Sequence, residues 1–572
     1  MKAGCWACLV LGLSLAAFAN SPGEPVEMRA EPSLGAVVRY GRPFQLEVEL
    51  TPLDPGLQGD ARLVVESGQQ EVSSETPVHL GSGPQRVAVP VLSGSYGTRL
   101  KLMQGSRTLA SLDAVSSSLA NDNDLTVLVL SSRKSHFGYL AGYKGQVKGL
   151  QGEVRLNQPS RFQGLPDYWW AYLGQDVIVV HDLPSLKLGD AVEAVLLQWV
   201  HGGGTLVLVD NGDPAQFQGS PLAPMVQPRP AQGGIWWRRG YGCGQVVQVG
   251  AAITSEEVLG GQATRNLWRS ILSGPSGLQL RKLSFDHYPK LSLLPELPTP
   301  ATASLVWYLA VYVLVAVPCI YLYLRRKDQV LRLIVFVPAC SLVFSVGAYL
   351  FNSLGRGRET LVRRAGIGWM VSGQQRWLLD QTSVLFSPRA LSFEIDLPLQ
   401  AALRPDSQVH PDPAEHVLVA RGRQMSLPRE RLRQWGVSRW RSLSLHEFPG
   451  PLRFRCRKDG TRWWVEVENQ TGQDLPSALL ALDANQLSAP FSIPRGSSQH
   501  QATLTNTSLE QFLQQSPLEV AAEEATGWRG QLDALGWQPS LLIALPSPAS
   551  FDFKGIAPRQ LGYSLLLVRE AP

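Results

Sequence analysis

Three aspartates, Asp182, Asp210 and Asp213, follow short apolar runs that read as the carboxyl ends of parallel strands. That edge of an open α/β sheet is where ligands bind, so the three carboxylates are the candidate site for a cation or polar ligand. The plainer reading is that each Asp caps a loop or helix start. Cys243 stands among glycines in Gly240-Tyr241-Gly242-Cys243-Gly244, with His181 and His201 in the same stretch of chain as conceivable bases. A nucleophilic thiol needs a depressed pKa, typically at a helix N-terminus. The run after Cys243, Gln245 to Val249, reads as a strand, so we assign Cys243 to a turn and His181 and His201 to a strand end and a helix end. No catalytic residue, metal site or cofactor is assigned. Gly202-Gly203-Gly204 precedes a strand instead of opening a helix, which removes a phosphate-binding reading. Three tryptophan pairs, Trp169-Trp170, Trp236-Trp237 and Trp463-Trp464, could stack on sugars or peptides. Adjacent strand residues point to opposite faces, so one of each pair is expected in the core.

The elements that position these residues follow from periodicity. Leu125 to Leu130, Asp176 to Val180 and Thr205 to Val209 are continuous apolar strands, and Ala191 to Val200 reads as a helix between two of them. Strand, helix, strand with unbroken apolar runs predicts a parallel sheet covered on both faces over residues 119–285. Residues 20–118 instead alternate, as in Phe44 to Leu50, Ala61 to Val65 and Arg86 to Val91, which predicts an immunoglobulin-like β-sandwich. Residues 286–303 are a Pro-rich linker. After it, 352–450 is β-rich and 451–572 is a C-terminal sandwich-like region, with a turn at Asn469 to Gly472. A short helix capped by Ser508 and a final strand from Gln560 to Arg569 complete that region.

Two stretches are apolar for a different reason. Residues 1–19 read as a secretory signal: Lys2, an uncharged run from Cys5 to Phe18, and small residues at Ala17 and Ala19 for cleavage. Ser304 to Leu324 is 21 residues without a charge, about 31 Å as a helix. Leu333 to Phe351 supplies 19 more. Four basic residues in the short link Arg325 to Arg332 mark it as cytoplasmic, although Arg356, Arg358, Arg363 and Arg364 follow the second run. The signal decides the orientation, giving a two-span hairpin over 304–351 with both large regions extracytoplasmic. Pro318 and Pro338 would kink the spans or mark a gate, and no ionisable residue lies in either. Ser341 and Ser345 offer a small-residue contact to partner helices. Cys243 and Cys456 can pair in an oxidising compartment or stay as two buried thiols.

Of 572 residues, about four domains by length, only 17% are charged, against about 25% in soluble domains. The hydrophobic fraction of 44% is ordinary, and the net charge of +5 is too small at this length to argue for nucleic acid.

The runs DVIVVHDLPSL, LLQWVHGGGTLVLVDNG and RRGYGCGQVVQVG, followed by the hairpin YLAVYVLVAVPCIYLYLRRKDQVLRLIVFVPACSLVFSVGAYL, resemble bacterial membrane-anchored proteins. Those have a signal peptide, an immunoglobulin-like domain, a class I glutamine amidotransferase-like domain and two spans. The resemblance implies a multidomain α/β plus all-β chain with a flavodoxin-like, amidotransferase-like parallel sheet. It implies the bacterial inner (plasma) membrane, contact with the lipid bilayer, and protein partners in the cell envelope. Such a domain, when active, carries a Cys at a strained strand-to-helix turn. Here the strand Thr205 to Val209 runs into Asp210-Asn211-Gly212-Asp213-Pro214, with no Cys, so the catalytic residues do not carry over. The reading is an exported scaffold or ligand sensor. The alternatives are an envelope hydrolase or amidase with a non-standard site in 119–285, or a glycan- or peptide-binding module.

Overall fold

The computed structural model describes residues 24–143, 152–250, 262–272, 302–355, 359–405, 416–512, 529 and 539–570, excepting 55, 67–71, 93–97, 114, 116, 212, 228–235, 328, 422–423, 461, 484, 506–507 and 510. The expected signal segment and residues 286–301 of the linker lie outside them. The chain is mostly β, arranged in several sheets, of which one is largely parallel.

At the amino end the alternating runs form two antiparallel layers. Val26–Pro32, Phe44–Pro52 and Gln85–Val91 make one. Gly59–Glu66, Val72–Leu80, Arg99–Gln104 and Arg107–Leu112 belong to the other. Leu46, Val48 and Leu50 share a core with Leu63, Val65 and Leu100. One buried face and one wet face is what the period of two encodes.

The parallel sheet has the order Val154–Asn157, Leu125–Ser131, Val177–His181, Thr205–Val209, Gly244–Val249, Trp236–Tyr241, and only the last strand is antiparallel. Its central strands are buried at every residue. Their two faces differ in chemistry. Val127, Val129, Val177, Val179, Val207 and Val209 pack with Phe137 and Trp268 on one side. Leu128, Leu130, Ile178, Val180, Leu206 and Leu208 belong to the core of Trp169 and Trp199 on the other. The helix Asp190–His201 ends at Gly202, and Gly203 turns the chain with φ +124. A Cβ on Gly202 would sit 3.2 Å from the Trp169 ring. The glycine run therefore serves a tight turn under two indoles.

The Leu/Ile face does not end with this sheet. Its core continues through Leu385, Trp440, Leu443, Leu542 and Leu565, all beyond the apolar hairpin in sequence. There, one large sheet takes Leu361–Val371, Arg376–Ser387, Gly436–Glu447, Leu475–Asp483, Ser540–Pro546 and Tyr563–Arg569, so it draws strands from either side of residue 451. A three-stranded sheet, Leu452–Asp459, Arg462–Asn469 and Gly496–Ala502, covers part of it. An eight-stranded sheet links the two ends of the chain. His416–Arg421 pairs in parallel with Val72–Leu80, in the register His416↔Val72 to Val419↔Glu75.

The regions also meet through buried charge. Arg39 Nη1 and Nη2 donate to both oxygens of Asp176, at 3.1 and 2.6 Å, and Nη2 also donates to Asp124 O and Thr126 Oγ1. Arg441 forms a second buried fork with Asp380.

Between the two halves stand the apolar helices. Thr302–Leu314, Val315–Cys319 and Ile320–Arg326 run on as one arm. Its middle segment is a π turn containing Pro318, which lacks the N–H a regular turn needs. The other arm is Leu333–Gly355. Among the described residues one helix, Val330–Leu350 with mean hydropathy 2.2, is long and apolar enough to cross a membrane, and its apolar window is not buried in the protein. The arms touch: Tyr308 Oη donates to Phe344 O at 2.5 Å, and Tyr312 Oη is 2.8 Å from Ser341 Oγ. Ser341, read from sequence as a contact for partner helices, is engaged by Tyr312 of the other arm.

Candidate ligand site

The carboxyl edge of the parallel sheet has a switch point. The chain leaves Leu125–Ser131 toward Val154–Asn157 on one side and leaves Val177–His181 toward Thr205–Val209 on the other. Opposed connections open a crevice between the two strand ends, which is where open α/β sheets bind ligands. Ser131, Ser132, His181, Asp182 and Asn211 come together there.

His181 is the centre of this group and is fully buried. Its Nδ1 lies 2.9 Å from Ser131 Oγ, and its Nε2 lies 3.0 Å from Asn211 Nδ2. An amide nitrogen only donates, so Nε2 is the acceptor and the ring proton sits on Nδ1. Ser131 Oγ then accepts from His181 and from the Arg133 backbone N–H, at 3.1 Å. Burial pushes the imidazole pKa down, against the opposing pull of the Asp182 carboxylate, which keeps the ring neutral. Its one basic nitrogen faces an amide, not the serine, so the ring does not take a proton from Ser131. Phe137 closes the other side of the ring edge-on.

The three predicted aspartates do not converge. Asp182 is half-buried in a left-handed turn (φ 58, ψ 54), and its Oδ2 accepts from Ser132 Oγ at 3.0 Å. Hydrogen bonds from Ser185 and Ser132 hold its carboxyl below the usual range, although partial burial opposes them. Asp210 is fully buried, and its Oδ2 accepts from Gln248 Nε2 at 2.7 Å. Asp213 is exposed and caps the short helix Pro214–Phe217 by accepting the Ala215 N–H at 3.0 Å. Each carboxylate is committed to a different partner: Asp182 to the loop after Leu125–Ser131, Asp210 to the strand Gly244–Val249, and Asp213 to its own turn. Among the described residues, no group of three His, Cys, Asp or Glu is placed to hold a metal ion. Of the three, only Asp182 belongs to the switch-point crevice.

Ser131 and Asn211 are site residues that the sequence reading did not select. Asn211 carried a signal: Asn-Gly is a turn pair, and Asn tolerates the left-handed conformation it adopts here (φ 48).

Cys243 sits at the tight turn between Trp236–Tyr241 and Gly244–Val249, as expected. Gly242 takes φ +60 there, where a Cβ would come within 2.6 Å of the His201 ring. The thiol is buried and donates to Trp369 O at 3.6 Å. Burial pushes its pKa up to about 12, so it is a thiol at neutral pH. Cys456 is also free, bonded to Glu570 and pushed up to about 11, first by burial and then by that carboxylate. The two cysteines are not paired.

Trp169 and Trp170 are both buried, in a 3-10 turn instead of a strand, so neither is a platform. Trp169 Nε1 donates to Gln400 O at 2.9 Å, across to the second half of the chain. Trp236 packs on the valine core and carries Arg238 over its ring. Trp463 and Trp464 are half-buried on a strand, with Trp463 on the core side.

No known family model matches this chain, and no curated protein matches it.

Proposed function

We propose that the chain is a membrane-anchored exported protein of the bacterial cell envelope, a scaffold or ligand sensor built around a catalytically degenerate amidotransferase-like domain. The observation that carries this reading is Asn211. It occupies the strained left-handed position just past the strand Thr205–Val209, where such a domain would hold its nucleophile. Its amide also occupies the basic nitrogen of His181. The turn keeps the strain of a nucleophile elbow without a nucleophile. The unreactive state of Cys243 supports the same reading.

The anchoring part rests on two observations. The helix Val330–Leu350 exposes an apolar surface that water would leave unsatisfied and lipid would cover. The regions before and after it share a core and a sheet, so any crossing must be made an even number of times. Two spans with a cytoplasmic turn meet that condition. The crevice at Ser132, Asp182 and Asn211 is the place for a small polar ligand, and partners in the envelope would dock on the exported portion.

Two measurements test this. The intact protein in detergent is assayed with glutamine and with simple amides and esters, and no turnover is expected. Turnover abolished by Ser131→Ala or Cys243→Ala overturns the non-catalytic reading. Lys327→Cys and Ser132→Cys, each in a background with Cys243, Cys319, Cys340 and Cys456 changed to Ala, are labelled in whole cells after the outer barrier is opened. An impermeant reagent is expected to reach the second and not the first. The reverse pattern overturns the topology.

A further inference from the structure

The small sheet made of Leu452–Asp459, Arg462–Asn469 and Gly496–Ala502 packs one face on the core through Phe454, Val465 and Val467. Its other face is turned to solvent, and the registers order that face into rows. Arg453 stands beside Glu468, and Glu468 beside Ser497. Arg455 stands beside Glu466, and Glu466 beside Gln499. Arg457 stands beside Trp464, and Trp464 beside Gln501. A shallow groove of about 530 Å³ runs over the first two rows. That volume lies within the roughly 300–1,000 Å³ of small-molecule sites.

The side chains are unevenly occupied. Arg453 is paired with Glu468 at 3.2 Å. Arg455 and Arg457 are exposed and form no ion pair among the described residues. Trp464 is half-buried on the solvent side and takes no part in the core beneath, and it stacks with no other ring among the described residues. The face thus offers two free guanidinium forks about 6.8 Å apart along the strand, a tryptophan beside the second, and a column of hydroxyl and amide groups.

We infer that this face binds a linear acidic polysaccharide. The two unpaired guanidiniums, the indole and the hydroxyl and amide column each match one part of such a chain; Glu468 is neutralised by Arg453, which leaves Glu466 as the one carboxylate the ligand must accommodate. A guanidinium takes a carboxylate in a two-bond fork. Gln499, Gln501 and Ser497 donate to and accept from hydroxyls. The indole covers the apolar face of a sugar ring. A peptide strand fits less well, because both free Arg residues lie on an edge strand whose basic side chains discourage strand addition. The groove also has no apolar pocket for an anchor residue. This site is separate from the switch-point crevice, so its fate is independent of the function proposed above.

The test is calorimetric titration of the intact protein in detergent with an oligogalacturonate. A neutral cello-oligosaccharide of the same length and an oligothymidylate of the same charge are the comparisons. Saturable binding of the oligogalacturonate alone is expected. Trp464→Ala and Arg455→Ala, Arg457→Ala should each weaken it about tenfold or more, with unchanged melting temperature. Trp464→Phe should retain most of the affinity, and Arg455→Lys should not restore the fork. Absent binding, equal binding of the neutral sugar, equal competition by oligothymidylate, or binding indifferent to folded Trp464→Ala would each overturn the inference.

Discussion

Asn211 Nδ2 donates to His181 Nε2 at 3.0 Å, and this one bond sets the chemistry of the crevice. It fixes the ring proton on Nδ1, opposite Ser131, and it holds Asn211 in a conformation that most residues avoid. Asn211→Ala leaves a buried ring nitrogen without its donor and keeps the strained backbone. The expected cost is about 1–3 kcal/mol of stability, read by urea denaturation. Nitrogen NMR of the wild type should show His181 protonated at Nδ1 alone. A ring protonated at Nε2 would contradict the arrangement.

Acid should weaken the fold over a defined range. His201 is buried beside Tyr241 and the Arg376 backbone, with the Arg376–Glu447 ion pair nearby, and burial pushes its pKa down to about 4. Burial does the same to His446, also to about 4, and lowers His181. The unfolded chain binds these protons near the ordinary pKa of about 6.5 and the folded chain does not. Stability from His201 and His446 is therefore complete above about pH 6.5, falls as pH drops, and is gone below about pH 4, and His181 acts in the same direction. For His201 alone the change is about 3 kcal/mol. His201→Phe should flatten that part of the stability curve, and an unchanged curve would remove His201 as its source.

The Arg39–Asp176 fork joins the amino-terminal sandwich to the parallel sheet with both side chains nearly out of water. Asp176→Ala strands a buried guanidinium and takes the acceptor from the Thr126 N–H. A loss of about 3–5 kcal/mol follows. The pair Arg39→Met, Asp176→Leu should be clearly more stable than Asp176→Ala, because no charge is then left unpaired. A double-mutant cycle in denaturant measures this coupling, and strict additivity would count against it.

Local rules made much of this legible. Phe44 to Leu50 alternates because one face is buried, and the apolar runs at 125, 177 and 205 are continuous because both faces are. Ser508 caps as read, its Oγ accepting the Gln511 N–H while Gln511 Oε1 accepts the Ser508 N–H. The misreadings share a cause. Trp169-Trp170 looked like a strand pair, but burial between two cores favoured a compact turn that hides both indoles. Asp182, Asp210 and Asp213 were placed correctly at strand ends, yet their partners, Ser132, Gln248 and the Ala215 N–H, decide their roles. Of these only the Ala215 N–H, two residues from Asp213, is local enough to leave a spacing signal. Pairing between distant strands leaves none, so the joining of residues 72–75 to 416–419 had no trace in the sequence.

That joining predicts that the two halves open as one unit, which can be probed directly. Leu418 is fully buried in the core shared by both halves, on the strand that pairs with Val72–Leu80. Leu418→Ala removes packing worth about 2–5 kcal/mol. If the eight-stranded sheet opens as a unit, the loss should appear on both sides of the apolar helices. Amides of Val72–Leu80 should exchange faster in Leu418→Ala, together with those of His416–Arg421 and Gln424–Leu432. The mirror substitution, Leu63→Ala in the core beneath the sandwich, should in turn speed exchange in His416–Arg421. Hydrogen exchange read by mass spectrometry on the intact protein makes both comparisons. Faster exchange confined to the mutated side in each case would mean the halves fold separately and merely touch. Coupled exchange in both directions means that the sheet begun by the first part of the chain is complete only when the segment beyond the apolar helices has joined it.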